Sequence, residues 1–313
     1  MRAKGQNGFA MVLVLWVVAL LMAIIPVFVY SMRSESSAAL NMADSSVARG
    51  LALAGVEMAV HEIKADFGLV TQGPSGALFL ERTGGGWKAL PTGRSFELGG
   101  GAVFYTIGDE RGKININTAG REVIDAILRL SGIQTPERDI ITDSILDWRD
   151  DNHEFHLNGA EDDYYASLPV PYGAKDGPAD FKEELLLVKG VTAAVFHGKE
   201  RPGASGPADT NFTGMKRNIT VYGDGRLNLN TASPEALEAF YGKGVASEIV
   251  LRRQADGYLA IPQNNGLVTS DTFTVDSTGE YRGMRYRVEV VVFKKPGAAP
   301  AHYVSWRDWG IVP

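Results

Sequence analysis

The chain of 313 residues contains no cysteine and only five histidines. The absence of cysteine excludes a disulfide framework, so loops must be held by packing or by a metal ion. The sequence also has no Gly-x-Ser-x-Gly elbow, no Walker-type phosphate loop and no His-Glu-x-x-His motif. We therefore predict no catalytic residues and no enzymatic activity.

Positive charge is also scarce, since the formal net charge is -6. Sequence-independent binding of nucleic acid needs dense Lys and Arg patches, and the chain has none, which predicts no nucleic-acid partner. Apolar residues make up 45% of the chain and charged residues 22%. At this length the composition provides enough material for a hydrophobic core and for more than one domain.

One long apolar run stands near the amino terminus. Phe9 to Tyr30 contains no charged residue and is about long enough to cross a bilayer, which takes roughly 20 residues. It is too long for the apolar core of a cleaved signal peptide, which spans about 7 to 15 residues. Arg2 and Lys4 precede it and predict a cytoplasmic amino terminus. We expect a single membrane span over 9–30, with the globular part outside the cytoplasm.

The helix is expected to continue beyond the membrane span. Apolar residues recur after it at Leu40, Val47, Leu51, Ala54 and Met58, at intervals of seven, four, three and four. Such spacing is typical of one helical face. The pattern predicts an amino-terminal helix over 9–65 that packs this stripe against a folded body.

The start of the chain resembles the class III signal of type IV pilins and type II secretion pseudopilins. The resemblance rests on a basic leader over 1–8, on Gly8 followed by Phe9, and on the apolar span. In those families a prepilin peptidase cleaves after the glycine and methylates the new amino terminus. This implies processing between Gly8 and Phe9 and methylation of Phe9, whereas an uncleaved membrane anchor is the alternative.

The fifth residue counted from Phe9 is Leu13, where most members of these families carry a glutamate. In a helix bundle that carboxylate neutralises the amino terminus of a neighbouring subunit, because an unpaired buried charge is costly. A subunit without it suits the tip of the filament. Among pseudopilins, this departure marks the K-type minor pseudopilin.

Two parts of the body have strand-like patterns. Short apolar segments between Gly-Gly-Gly and Pro-Thr-Gly turns predict two or three strands over 77–107. Alternation over 271–295 predicts a hairpin around the turn Asp-Ser-Thr-Gly-Glu at 276–280. Helical patterns dominate 112–266. The expected fold class is α+β, with the long amino-terminal helix packed on a small antiparallel sheet that a large α-helical insertion divides.

The insertion contains a short internal repeat. Ile-Asn-Ile-Asn-Thr-Ala at 114–119 matches Leu-Asn-Leu-Asn-Thr-Ala at 227–232, and a helical pattern follows each copy. We expect Asn117 and Asn230 to cap these helices. The units resemble SAM-like or helix-hairpin-helix units, two of which occur in the K-type family. DNA binding through the turn Gly242-Lys243-Gly244 is the less favoured alternative to a packing or partner-docking role.

These observations predict six segments. They are a leader over 1–8, the amino-terminal helix over 9–65, the first part of the sheet over 66–111, the first helical unit with an acidic loop over 112–225, the second unit over 226–266 and the carboxy-terminal hairpin over 267–313.

The segment 143–165 carries the clearest chemical signal. Seven carboxylates follow one another closely over 147–163 and repel each other unless a cation enters. Counted from Asp150 as position one, Asn152 falls at three and Glu161 at twelve, close to the spacing of an EF-hand loop, although Phe155 replaces the glycine at six. Oxygen ligands favour calcium over a transition metal. The predicted ligands of a structural calcium ion are Asp150, Asn152 and Glu161, followed by Asp147, Asp151 and Asp162.

Two other interpretations of this loop stay open. The first is a solvated acidic loop without metal. The second is a zinc site that uses His153 and His156 on one helix face, with Glu154 between them. The resemblance to the K-type family supports calcium. Leu-Asp-Trp at 146–148 and Gly-Ala-Glu-Asp at 159–162 match the family pattern around its metal-binding region.

The resemblance covers nearly the whole chain and implies a K-type minor pseudopilin of a type II secretion system. Such a subunit lies in the inner membrane with its globular domain in the periplasm. It joins I-type and J-type minor pseudopilins and the major pseudopilin, and starts and caps the pseudopilus that exports folded proteins across the outer membrane. The alternatives are a minor pilin of a type IV pilus and a membrane-anchored periplasmic metallohydrolase at the acidic loop.

Overall fold

The computed structural model describes residues 7–65, 70–72, 78–81, 87–90, 93–200, 211–212, 214–294 and 301–312. Residues 1–6 of the expected leader lie outside this part of the chain. Helix α1 covers Asn7–Ala65, so the junction of Gly8 and Phe9 falls in its first turn. Among the described residues it is the only helix long and apolar enough to cross a membrane, and its most apolar window, of mean hydropathy 3.1, is not buried.

The stripe by which α1 packs on the body differs from the expected one. Of the predicted stripe only Leu51 is fully buried, whereas Leu40, Val47 and Met58 are exposed. The buried residues also recur at helical spacing, and most of them are small: Ala48, Leu51, Ala52, Gly55, Val56, Ala59, Val60 and Ile63. Small side chains let a helix lie close to a sheet, so residue size rather than hydrophobicity alone selected the buried face.

The central sheet has five antiparallel strands in the order β12-β11-β10-β5-β4. Its strands are β4 (Arg94–Leu98), β5 (Gly101–Asp109), β10 (Thr272–Tyr281), β11 (Met284–Phe293) and β12 (His302–Val312). Strands β5 and β10 are neighbours although residues 110–271 separate them in the sequence. The α+β class with a divided antiparallel sheet therefore agrees with the expectation. Strands β1 (Val70–Gln72), β2 (Leu78–Glu81) and β3 (Trp87–Leu90), within the segment assigned to this sheet, form a sheet of their own.

The carboxy-terminal hairpin turns later than expected. Asp276 to Glu280 lies inside β10, and the chain reverses at Arg282 and Gly283, which have φ angles of +48° and +83°. Two consecutive positive φ angles are typical of a tight type I′ turn. The expected turn at 276–280 was wrong because its glycine, Gly279, serves the contact with α1 instead.

The contact between α1 and the sheet is unusually close. A Cβ atom at Gly279 would lie 2.5 Å from the amide nitrogen of Ala52 and closer still to the carbonyl oxygen of Ala48. On the helix side, a Cβ at Gly55 would lie 2.8 Å from Val103. The core between α1 and the sheet is completed by Val275, Val288, Val290 and Val292, which are buried.

The segment between β5 and β10 is mainly helical and has its own hydrophobic core. Its helices are α2 (Arg121–Leu130), α3 (Glu137–Arg149), α4 (Asp162–Ala166), α5 (Ala193–His197), α6 (Pro234–Tyr241) and α7 (Lys243–Asp256), with 3-10 helices at Lys182–Leu187 and Lys216–Asn218. Its short strands are β6 (Ile114–Asn115), β7 (Lys199–Glu200), β8 (Asn211–Phe212) and β9 (Ile219–Thr220). The helices contact the sheet on the face opposite to α1, where Arg307 of β12 pairs with Glu183 at 2.8 Å.

The two copies of the repeat have matching backbone geometry. Each places its first asparagine where the side-chain oxygen accepts the amide two residues on, at 2.9 Å for Asn115 and 3.0 Å for Asn228. The residue between the asparagines then donates to a backbone carbonyl of another segment, Ile116 to Thr220 of β9 and Leu229 to Leu267 of an isolated β-bridge. Each copy leads into a pair of helices, α2 with α3 and α6 with α7. The closer likeness to SAM-like units stays a prediction.

The second asparagine of each copy does not cap a helix, contrary to the expectation. The residues that start α2 and α6 are preceded by Gly120 and Ser233, and Ser233 provides the side-chain cap in the second copy. Asn117 instead bonds both backbone groups of Ala179, while Asn230 bonds both backbone groups of Leu259. Asn230 is buried and Asn117 is half-buried, and each joins a distant loop by pairing with backbone groups that need partners.

Candidate metal site

The acidic loop begins at the end of α3 and closes at α4. Asp147, in the last turn of α3, is fully buried and accepts hydrogen bonds from the amides of His156 at 3.1 Å and Ala160 at 2.7 Å. The Nδ1 atom of His156 also contacts Asp147. Gly159 makes room for this carboxylate, because a Cβ atom there would lie 2.7 Å from the Cγ atom of Asp147. The loop is therefore folded around Asp147.

Alternate residues of the loop are held by local hydrogen bonds. Asn152 donates its side-chain amide to Asp150 at 2.6 Å, and the amide of Glu154 donates to Asn152 at 2.7 Å. Asn158 donates to Asp143 through both its backbone and its side chain, at 3.2 and 3.1 Å. The loop has defined geometry although most of its side chains are exposed.

Glu161 is the least satisfied polar group of the site. Its side chain is buried, with 7% of the residue exposed, and neither carboxylate oxygen has a hydrogen-bond partner among the described residues. Burial is the largest of the effects that together raise the pKa of Glu161 to about 7, and the charges of Asp147, Asp150 and Asp176 contribute to the same rise. A buried carboxylate without partners is costly unless a cation compensates it. This observation fits a metal ion better than a solvated loop.

Potential ligands collect in two groups of three. The first consists of Asp147, Asp150 and His156, and the second of His153, Asp162 and Asp176. Within each group the ligand atoms lie within 4.8 Å of one another.

Of the six predicted ligands, four lie in or beside these two groups. Asp147 and Asp150 are in the first, Asp162 is in the second, and Glu161 is close enough to sense the charges of Asp147 and Asp150. Asn152 contacts the first group only through Asp150. Asp151 is exposed and belongs to neither group. The assignment of ligands stays a prediction.

The structure adds residues that the sequence interpretation missed or paired differently. His153 and His156 fall into different groups and lie outside the helices, so the zinc site that required both on one helix face is not formed. Asp176 joins the second group from a distant part of the sequence, at a φ angle of +49°. No spacing rule links it to the acidic loop, since the fold alone brings it there.

An aromatic cluster lies beneath the site. Trp148, which follows Asp147, is 3% exposed, and its ring packs edge-on against Tyr165 at 5.2 Å. Tyr165 in turn stacks on Tyr172 at 5.3 Å. Trp148 is therefore a natural fluorescent reporter of changes at the site.

Three comparisons with known proteins point to the same family. Residues 106–199 match the family described as type II secretion system protein K. This region runs from β5 through α2, α3, the acidic loop and α5, so it contains both groups of potential ligands.

Two relatives carry the same name. The type II secretion system protein K of Pectobacterium carotovorum subsp. carotovorum is 29% identical over 130 residues, which is 37% of this chain and 40% of the relative. The protein K of Klebsiella pneumoniae is 23% identical over 204 residues, or 61% of this chain and 60% of the relative. The alignments thus cover less than two thirds of either relative.

The fold is also similar to a solved structure. One chain of the GspK-GspI-GspJ complex from the type 2 secretion system of enterotoxigenic Escherichia coli superposes with a TM-score of 0.54 and 15% identity, covering 88% of this chain and 98% of the other. At this identity the likeness concerns the fold alone. The resemblance to K-type pseudopilins is thereby confirmed, and residues 106–199 carry the domain of the type II secretion system protein K family.

Proposed function

We propose that this chain is a minor pseudopilin at the tip of a type II secretion pseudopilus, where it starts and caps assembly for the export of folded proteins. The main support for this proposal is that residues 106–199 match the protein K family and that the chain also has a long amino-terminal helix. In that helix, the apolar residues 11–30 are exposed, and no part of the chain that the structure describes packs on them. Such a surface requires lipid or other helices around it.

The partners follow from this assignment. The structurally similar chain occurs in a complex of GspK, GspI and GspJ, so we propose I-type and J-type minor pseudopilins as direct partners. The major pseudopilin would contact the complex from below. Residues 9–30 would lie in the inner membrane before assembly, with the globular domain in the periplasm.

The tip position is supported by two features of the chain. Leu13 provides no carboxylate where most pilin-like subunits have one, so it cannot neutralise the amino terminus of a neighbour. The helical insertion adds bulk on the face of the sheet opposite to α1, and we propose that this bulk prevents another subunit from stacking above. Deletion of the insertion should then change the number or length of pseudopili.

Processing by a prepilin peptidase is the first step to test. We expect co-expression of the full chain with the peptidase to give a mature form that begins at Phe9, with a methylated amine, in intact-mass spectrometry. A Gly8→Val variant should keep the leader, whereas Gly5→Val, a glycine of the same leader, should be processed normally. An unprocessed parent chain, with a known pseudopilin processed in parallel, would contradict the assignment as a filament subunit.

We further propose that the acidic loop binds calcium as a structural ion. The oxygen donors are Asp147, Asp150, Asp151, Asn152, Glu161 and Asp162. Calcium prefers six to eight such oxygens, and the unpartnered carboxylate of Glu161 supplies a reason for a cation to enter. The ion would supply positive charge that neutralises the carboxylates, and the chain's own hydrogen bonds around Asp147 would hold the loop in place.

A Glu161→Gln variant tests this proposal in both directions. In a chelator the variant should melt about 2–6 °C above the parent chain in detergent, because it removes an uncompensated buried charge. With excess calcium the parent chain should instead melt at the higher temperature, because calcium binding stabilises only the chain that keeps the Glu161 carboxylate. Glu154→Gln, at an exposed position of the same loop, should behave as the parent. A parent chain whose melting temperature and Trp148 fluorescence ignore calcium would refute the proposal.

A further inference from the structure

We propose that four exposed residues of the helical insertion form a docking surface for an exported protein. These residues are Leu157, Tyr164, Val170 and Leu187. Leu157 is 92% exposed and Val170 is 77% exposed, although both side chains are apolar. Large apolar groups that are exposed together mark sites of protein interaction. The inference rests on the proposed function in secretion, and it adds the surface and the chemistry of the partner.

Leu157 is presented from a fixed backbone. The amides of its two neighbours, His156 and Asn158, donate to buried carboxylates at 3.1 and 3.2 Å. The ammonium group of Lys189 donates to the carbonyl oxygens of the two residues that follow Leu157, at 3.2 and 2.8 Å. The same ammonium group lies 5.0 Å from the centre of the Tyr164 ring. Lys189 therefore joins Leu157 and Tyr164 into one surface.

The other two members are joined to this surface by tyrosines. Tyr172, two residues after Val170, donates its hydroxyl to the carbonyl oxygen of Leu187 at 2.8 Å. Its ring stacks on Tyr165 at 5.3 Å, and Tyr165 packs edge-on against Tyr164 at 5.2 Å. The four exposed residues thus lie in one region of the insertion, above the buried aromatic cluster.

Exposed carboxylates border the docking surface. Asp163 precedes Tyr164, and Glu154 lies three residues before Leu157. Neither carboxylate forms an ion pair within the part of the chain that the structure describes. The ammonium group of Lys189 is held by two carbonyl oxygens of the chain. Charge complementarity therefore favours a partner whose apolar surface is bordered by Lys and Arg.

The insertion lies at the end of the sheet that is farther from the membrane segment. Strand β5 begins with Gly101 beside Leu51 of α1, and farther along the strand the hydroxyl of Tyr105 donates to Glu62 at 3.2 Å. The insertion leaves from the end of β5 and returns at the start of β10. In the proposed membrane placement, other subunits meet α1 from below, whereas an exported protein would approach the insertion from outside.

The composition of the docking surface suits a partner that binds and leaves. Permanent subunit interfaces are large and mainly hydrophobic, whereas transient ones are smaller and more polar. Here four apolar side chains stand beside unpaired carboxylates. A protein that is carried and then released needs this kind of contact.

Photo-crosslinking in cells that contain the complete secretion system tests the identity of the partner. The photoreactive residue p-benzoylphenylalanine replaces Leu157 in the full chain. We expect a covalent product with an exported protein, identified by mass spectrometry. The matched control position is Leu251, an exposed apolar residue of α7, which should give no such product. Products with subunits or the outer-membrane channel alone, or the same products at both positions, would overturn the proposal.

The double variant Leu157→Asp with Val170→Asp tests the role of the docking surface in export. We expect the amount of exported protein to fall at least about fivefold, as for the loss of strong interface contacts, with an unchanged number of pseudopili. Leu251→Asp should alter neither quantity. An unchanged circular dichroism spectrum and melting temperature of the double variant show that it folds.

Normal export by the folded double variant would refute the docking surface and leave the proposed function intact. Normal pseudopili in cells that lack the whole chain would instead refute the proposed function. The crosslinking result at Leu157 decides the matter independently if the double variant does not fold.

Discussion

Arg149 and Arg253 occupy matching positions in the two repeats and perform the same task. Arg149, at the end of α3, donates to the carbonyl oxygens of Ile116 and Ala119, the latter at 2.6 Å. Arg253 in α7 donates to the carbonyls of Leu229, Asn230 and Ala232 at 2.9 to 3.2 Å. In each copy a charged side chain satisfies the backbone of the Asn-Thr-Ala turn, so the turn and the second helix of the unit are tied together.

Replacement of Arg253, which is half-buried, should be far more damaging than replacement of an exposed arginine in the same helix. Arg253→Met removes three hydrogen bonds from a charged donor and leaves partly buried carbonyl groups unpaired, which should cost about 2–4 kcal/mol of unfolding free energy. Urea unfolding of the full chain in detergent measures this loss. Arg252→Met removes an exposed ion pair with Glu248 and an exposed hydrogen bond to Gln263, and should cost less than about 0.5 kcal/mol. Equal losses in the two variants would contradict the proposed role of Arg253.

At the scale of single residues, the sequence predicted where the repeat lies but not what its asparagines do. The motif itself is visible in the sequence, and the acidic loop indicated Asp147, Asp150, Glu161 and Asp162. The partners of Asn117 and Asn230 are backbone groups 62 and 29 residues away. Local propensity contains no information on such contacts, so capping was the natural but wrong expectation.

Between elements, the decisive contact is the approach of α1 to β10. Gly279 has no side chain where the backbone of the helix passes, and the small residues of α1 complete the fit. The apolar spacing in the sequence correctly predicted a helix that packs on a sheet. The same spacing predicted the wrong buried face of α1, because Leu40, Val47 and Met58 are more hydrophobic than the alanines and the glycine that are buried.

A Gly279→Ala substitution should separate α1 from the sheet. The added methyl group would overlap the backbone of the helix, which cannot move aside as a side chain can, so we expect a loss of about 2 kcal/mol or more. Thermal unfolding followed by circular dichroism gives the change. Gly108→Ala in β5 is the matched control, since a Cβ atom there first meets Thr274 at 3.9 Å. If Gly279→Ala were as stable as Gly108→Ala, the contact would be looser than described.

For the whole molecule, the helical insertion and the sheet are joined through Arg111. Its guanidinium group donates to Asp271 at 2.7 and 2.9 Å, just before β10, and to Asp224 at 2.6 Å in the insertion. The neighbouring Asp109 accepts hydrogen bonds from Asn228 and from the amide of Arg111. The sequence predicted a divided sheet but not these links, because their members are more than 100 residues apart.

This junction should weaken in acid. Burial opposes ionisation of Asp224, but hydrogen bonds from Arg226 and the charge of Arg111 lower its pKa to about 2. The pKa of Asp271 is also lowered, since hydrogen bonds from Arg111 outweigh the effect of burial. Because both pKa values lie below the unfolded value of about 3.9, the stabilisation is complete above about pH 5. It is lost as the pH falls toward about 2.

Urea unfolding of the detergent-solubilised chain at pH 5, 3 and 2 tests this dependence. The parent chain should lose stability across this range, and Arg111→Met should be less stable at pH 5 with a flatter profile below it. Arg282→Met removes an exposed guanidinium group 3.7 Å from Asp44 and should follow the parent. An unchanged slope in Arg111→Met would show that other carboxylates cause the acid sensitivity.

The length of α1 has a mechanical consequence. A helix of 59 residues measures about 88 Å at a rise of 1.5 Å per residue, and the part anchored in the sheet begins only at Ala48. In the proposed placement of residues 9–30 in the membrane, the 17 residues from 31 to 47 would hold the globular body about 25 Å above the lipid. The helix would then act as a stiff spacer. Movement of its amino-terminal part out of the bilayer would raise the globular body by the same distance.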